Sequence, residues 1–119
     1  MQINIGILGL GTVGCGTVAV LQRNAQVIAQ RAGCDLKVTR IATKTPGKSR
    51  PISFDPTIVS SDVDGLLSDP DIHIVAELIG GVDPAREYVL RALAAGKSVV
   101  TANKQLISLH GVELLALAR

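Results

Sequence analysis

The stretch "IGILGLGTVGCGT", Ile5 to Thr17, places glycines at positions 6, 9, 11, 14 and 16 among apolar residues near the N-terminus. Gly9, Gly11 and Gly14 match the pattern G-x-G-x-x-G. The run before them, "INIGILG", reads as a strand, and Val18, Leu21, Ala25, Ile28 and Ala32 then recur at helical spacing until Gly33 stops the helix. The motif therefore lies between a strand and a helix, which is where its mechanism requires it. In that position Gly9 permits the tight turn, Gly11 lets a pyrophosphate approach the backbone, and Gly14 lets the helix pack closely on the strand. Free amides at the helix N-terminus then face the phosphate charge. The strand-turn-helix context favours this reading over a glycine-rich turn without a ligand.

The remainder repeats the alternation. "LKVTRIAT", Leu36 to Thr43, is β-rich enough for a second strand, and "KTPGKSRP" follows as a basic loop. Ser61 or Asp62 can cap a short helix through Leu67, and "IHIVAELIGG" reads as a third strand ending in paired glycines. Asp83 and Pro84 open another helix with Pro at its first position, with Val89, Leu90 and Leu93 as its buried face, until Gly96. "SVVT" is a short fourth strand, and "ANKQLISLHGVELLALAR" a broken helical stretch. Such alternation predicts right-handed βαβ units in an α/β, doubly wound parallel sheet of Rossmann type, with residues 1–119 as one dinucleotide-binding domain. A full dinucleotide fold has about six strands, so the four visible here lead us to expect part of a domain, truncated before a catalytic remainder.

Composition agrees with that architecture. Hydrophobic residues make up 47% of the 119, but there is no Trp, one Phe and one Tyr, so the core must be built from Val, Ile, Leu and Ala. That palette suits a parallel sheet covered on both faces. The twelve basic and ten acidic residues are scattered, and with aromatics nearly absent neither a phosphate-tracking stripe nor a base-stacking platform can be assembled; we expect no nucleic-acid partner. No apolar run approaches the length of a bilayer span and no basic stretch precedes the first apolar segment, which leads to the expectation of a cytoplasmic protein without a membrane partner. Cys15 and Cys34 lack partner cysteines and are read as small buried hydrophobes. His73 and His110 are isolated, so no metal site is expected.

The adenosine side is less usual. An NAD-binding unit presents Asp or Glu at the end of its second strand for the ribose 2′-hydroxyl. Here that edge reads Ala42, Thr43, Lys44, and no carboxylate follows until Asp55. Lys44, Lys48 and Arg50 instead concentrate positive charge where a 2′-phosphate would sit, which favours NADP, with NAD possible. The other reading of the same cations is a solvated basic loop.

"TANKQL" follows the fourth strand, so Thr101 to Lys104 lie at the carboxyl edge of the sheet, where ligands bind in such folds. Lys104 could polarise a substrate carbonyl or shuttle a proton, or it could be an exposed lysine at a helix start; spacing alone leaves both open. Glu113 reads as part of a solvated helix face. Glu77, inside an apolar strand, is costly unless paired, and no chemical role is assigned to it.

"GLGTVGCGTV" and "LLSDPDIHIVAELIGGVDPAREYVLRALAAGKSVVTANKQLISLHGVELLALA", in that order, resemble the N-terminal nucleotide-binding region of homoserine dehydrogenase. The resemblance covers essentially the whole chain, and the pairing of "ELIGG" with "VVTANK" is far more specific than the glycine motif. It implies reversible reduction of aspartate semialdehyde to homoserine with NADPH or NADH, in a protein that joins a Rossmann-type domain to a catalytic and dimerisation domain and is a homo-oligomer at full length. It also implies that the amides of Leu10, Gly11, Thr12, Val13 and Gly14 hold pyrophosphate. Ile79, Gly80, Gly81 and Thr101 would then line the nicotinamide side, with Lys104 near nicotinamide and substrate. The family's other catalytic residues and its monovalent-cation ligands match nothing before Arg119, so these residues alone are expected to be inactive. A stand-alone nucleotide-binding or sensing module is the alternative of a different class. The cofactor domain of another amino-acid dehydrogenase, such as one acting on aspartate, would share the glycine turn, but "TANK" favours the homoserine reading.

Overall fold

The computed structural model describes residues 2–45, 56–79 and 84–101, together with positions 112 and 116. The chain runs β1 (Gln2–Leu8), α1 (Thr12–Arg23), α2 (Ala25–Ala32), β2 (Asp35–Ala42), a 3₁₀ turn at Pro56–Ile58, β3 (Val59–Ser60), α3 (Val63–Ser68), β4 (Ile74–Glu77), α4 (Ala85–Ala94) and β5 (Ser98–Thr101). All pairings are parallel, in the spatial order β3-β2-β1-β4-β5.

Strand alternation divides the core in two. Ile5, Ile7, Ile41 and Ala76 point to the face covered by α1, where they meet Leu10, Cys15 and Val18. Leu8, Ala42 and Val75 point to the other face and pack with Leu66, Leu67, Ile72 and Ala92 of the α3 and α4 layer. Successive residues of one strand thus enter different cores, which explains why the second half of β1, Ile5 to Leu8, is apolar and buried at every position. The sheet is doubly wound, as its alternating elements predict.

Among the described residues there are five strands, where four were legible. The additional one, β3, has two residues, too few for any period to register, and it extends the sheet by pairing Ile41 with Val59 and Ala42 with Ser60. The long first helix is divided at Asn24, whose backbone N–H and side-chain amide both donate to the Val20 carbonyl, at 3.1 and 3.0 Å. Asn24 itself leaves helical dihedrals, at φ −112° and ψ 20°, and α2 buries none of its residues, so Ala25 and Ala32 do not extend a buried face. Asp62 caps α3 as expected, accepting from the Gly65 N–H at 2.9 Å. Pro84 was expected at the first helical position but stands at the N-cap of α4, one place before Ala85, and the fully buried face of that helix is Ala85, Val89 and Ala92, with Leu90 and Leu93 half-buried. Cys15 is buried, whereas Cys34 is half-buried. Asp83, His110 and Glu113 lie outside the described residues.

Register lines up the strand ends. Leu8 pairs with both Ala42 and Glu77, Ala42 with Ser60, and Glu77 with Thr101. One row, Ser60-Ala42-Leu8-Glu77-Thr101, therefore forms the carboxyl edge of the sheet.

Candidate functional site

The chain leaves β1 toward β2 on one side and returns to β4 on the other, so the strand order reverses between β1 and β4. At such a switch point the loops leaving two adjacent strands diverge and leave a crevice. Gly9 begins the divergence. Its φ of 96° lies in the left-handed region, and its N–H donates to the Ala42 carbonyl at 2.8 Å, anchoring the turn to the end of β2. A Cβ at Gly14 would collide with the Gly9 carbonyl oxygen, so the first turn of α1 can lie against the strand exit only without a side chain there.

Gly11 differs from both. It is the N-cap of α1, and a Cβ built on it would meet nothing within 4 Å. The space beside it belongs to a crevice of about 420 Å³, within the usual range for small-molecule sites. The first intrahelical bond of α1 runs from the Cys15 N–H to the Gly11 carbonyl, at 2.9 Å. The N–H groups of Thr12, Val13 and Gly14 therefore have no intrahelical acceptor, and at a helix N-terminus such donors favour an anion. The turn is packed where the motif needs closeness and open where a pyrophosphate would approach, so the residues present fit a dinucleotide.

The other walls come from three strand exits. Thr43, Lys44 and Thr45 follow β2, Ser61 and Val63 follow β3, and Leu78 and Ile79 follow β4, with Pro84 and Tyr88 of α4 behind them. Lys44 is exposed at this wall. The carboxylate nearest in sequence after β3, that of Asp62, is engaged in capping α3. No described residue places a free carboxylate at the end of β2.

Glu77, fully buried at the end of β4, is satisfied on both oxygens. Oε1 accepts from the Ile79 N–H at 2.8 Å and Oε2 from the Thr101 hydroxyl at 2.5 Å. The pairing that its place in an apolar strand demands is thus supplied by a loop amide and a neighbouring strand. His73 lies at the opposite edge, exposed, its Nδ1 accepting from the Asn4 N–H at 2.9 Å.

Of the residues singled out in the sequence, Gly9, Leu10, Gly11, Lys44 and Ile79 meet at the crevice. Thr12, Val13 and Gly14 form the first turn of α1, and Thr101 ends β5 beside Glu77. Gly80, Gly81, Lys104, Lys48 and Arg50 lie outside the described residues. Tyr88 and Val63 were not singled out, and Ser61 was read only as a possible helix cap. Tyr88 carries no pattern beyond a helical one, and the other two depend on the short β3.

A parallel sheet with this order, a strand-glycine-helix turn at its switch point and a crevice over that turn define an α/β domain of the dinucleotide-binding class. The family described as "Homoserine dehydrogenase, NAD binding domain" matches residues 9–119. Homoserine dehydrogenase of Methylobacillus glycogenes is 48% identical over 117 residues, which are 98% of this chain and 28% of that protein. The crystal structure of a homoserine dehydrogenase from Thiobacillus denitrificans superposes with a TM-score of 0.87 at 44% identity, over 99% of this chain and 27% of that one. The S. aureus homoserine dehydrogenase does so with 0.91 at 35% identity, over 99% and 30%. The chain belongs to the homoserine dehydrogenase NAD-binding domain family and spans between a quarter and a third of the length of these relatives. No helix among the described residues is long and apolar enough to cross a membrane.

Proposed function

We propose that residues 1–119 are the cofactor-binding part of an NADP-dependent homoserine dehydrogenase, which reduces L-aspartate 4-semialdehyde to L-homoserine in aspartate-family amino-acid biosynthesis, on the route to threonine, methionine and isoleucine. The observation that carries this reading is Gly11, open to the crevice beneath the unbonded first-turn amides of α1, in a chain of this family. Those amides bind the pyrophosphate, and Gly9 and Gly14 keep the turn close enough for them to reach it. Lys44 takes the 2′-phosphate of the adenosine ribose, a charge-assisted contact that a bare ribose cannot make, with NAD as the weaker alternative. Ile79, Gly80, Gly81 and Thr101 are assigned to the nicotinamide half, as the family likeness implies. When bound, the reduced nicotinamide supplies the hydride, and Lys104 holds or moves the proton at the substrate oxygen. The scattered charge and scarcity of aromatic residues support a protein without a nucleic-acid partner, the lack of a long apolar run a cytoplasmic enzyme without a membrane partner, and the family likeness a small-molecule substrate and a homo-oligomer at full length.

Exchange of residues 1–119 for the corresponding region of the Methylobacillus glycogenes relative tests this reading. The exchanged protein should oxidise NADPH when given aspartate 4-semialdehyde, and Lys104→Ala within it should lower turnover by about a hundredfold, the scale of a lost acid or base group. A folded exchange protein that binds NADPH without reducing the aldehyde would contradict the assignment.

A further inference from the structure

We infer that Glu77 is a positioning residue for the nicotinamide half of the dinucleotide: its carboxylate ties the segment leaving β4 to the end of β5 and so fixes the wall on which that half lies. The inference rests on the dinucleotide reading above. Within the row of strand ends, Ser60-Ala42-Leu8-Glu77-Thr101, Glu77 is the one ionisable residue, and it is fully buried. A buried carboxylate without a cation destabilises a core relative to an apolar residue of similar size, and among the described residues none forms an ion pair with Glu77. Stability alone does not account for it.

Geometry supplies a reason. Glu77 and Thr101 are register partners, so their side chains share a face of the sheet, and Oε2 joins the two strand ends through the Thr101 hydroxyl. Oε1 turns the other way and accepts from the Ile79 N–H, two residues on, where the chain has left the ladder. That bond holds the loop against its own strand end. Ile79 lines the crevice, and its Cγ1 stands 3.1 Å from where a Cβ of Gly9 would be, so the loop position sets the gap between the glycine turn and the β4 exit. In a sheet of this order the adenosine ribose lies over the end of β2, and the rest of the dinucleotide crosses β1 toward β4 and β5. The brace lies beneath that second half and away from the first.

The test compares two ligands by calorimetry on the 119-residue chain: NADPH, and 2′-phosphoadenosine 5′-diphosphate, which lacks the nicotinamide riboside. Glu77→Ala should weaken NADPH by about tenfold or more, the scale of a lost charge-assisted hydrogen bond, and leave the adenosine fragment within about twofold. Glu77→Gln, whose amide can accept from Ile79 and donate to the Thr101 oxygen, should recover most of the loss. If Glu77→Ala does not fold, Thr101→Val, which removes one arm of the brace, should show the same selective loss. Equal weakening of both ligands, or NADPH affinity unaltered in a folded Glu77→Ala or Thr101→Val variant, would overturn the inference. Failure of the unsubstituted chain to bind either ligand would overturn the dinucleotide reading and this inference together.

Discussion

Gly14 and the carbonyl oxygen of Gly9 are in such close approach that any Cβ on Gly14 would occupy the space of that oxygen. Two residues five apart thereby fix how α1 leaves β1. Gly14→Ala must push the helix away from the strand exit or distort the turn, and overpacking of this kind destabilises by about 1 to 3 kcal/mol. Chemical denaturation should record that loss; an unchanged midpoint would mean that the turn relaxes freely.

Stability and binding should separate at the two ends of the sheet. Lys97 is 7% exposed before β5, and its ammonium donates to the carbonyls of Asp69 and Ile72 at 2.6 and 2.8 Å. Lys97→Met keeps the apolar stem but takes the ammonium from the Ile72 carbonyl, while the Asp69 carbonyl keeps the Ile72 N–H at 3.2 Å, for a loss of about 1 to 3 kcal/mol. Because those contacts lie at the amino edge of β4 and β5, dinucleotide affinity in the folded variant should not move. Weaker binding in the Lys97→Met protein would show that the two edges communicate.

Cofactor preference should follow Lys44. Reversal of its charge in Lys44→Asp should weaken NADPH far more than NADH, by about 1 to 3 kcal/mol for one charge-assisted contact. Parallel titrations of the two cofactors measure the difference directly, and equal losses would remove Lys44 from the 2′-phosphate.

What could be read before the structure was known follows the length of each signal. The glycine turn and the helix cap at Asp62 are local chemistry, and both stand where their residues predict. β3 was missed because two residues carry no period, and the break at Asn24 because the apolar spacing continues past one residue with non-helical dihedrals. Glu77 was visible as an anomaly in an apolar strand but not as a brace. Its partner Thr101 is 24 residues away, and only the β4–β5 register brings them together.

On the proposed function, the crevice over Gly11 receives the pyrophosphate of a nicotinamide dinucleotide. Gly11→Val adds a side chain where the structure has open space, so the fold should survive with at most the modest cost of a poor N-cap, about 1 kcal/mol. Calorimetric titration of NADPH into the folded variant should show no binding where the unsubstituted chain binds. Unchanged affinity in a folded Gly11→Val protein would contradict the account, because the ligand would then be held somewhere other than the glycine turn.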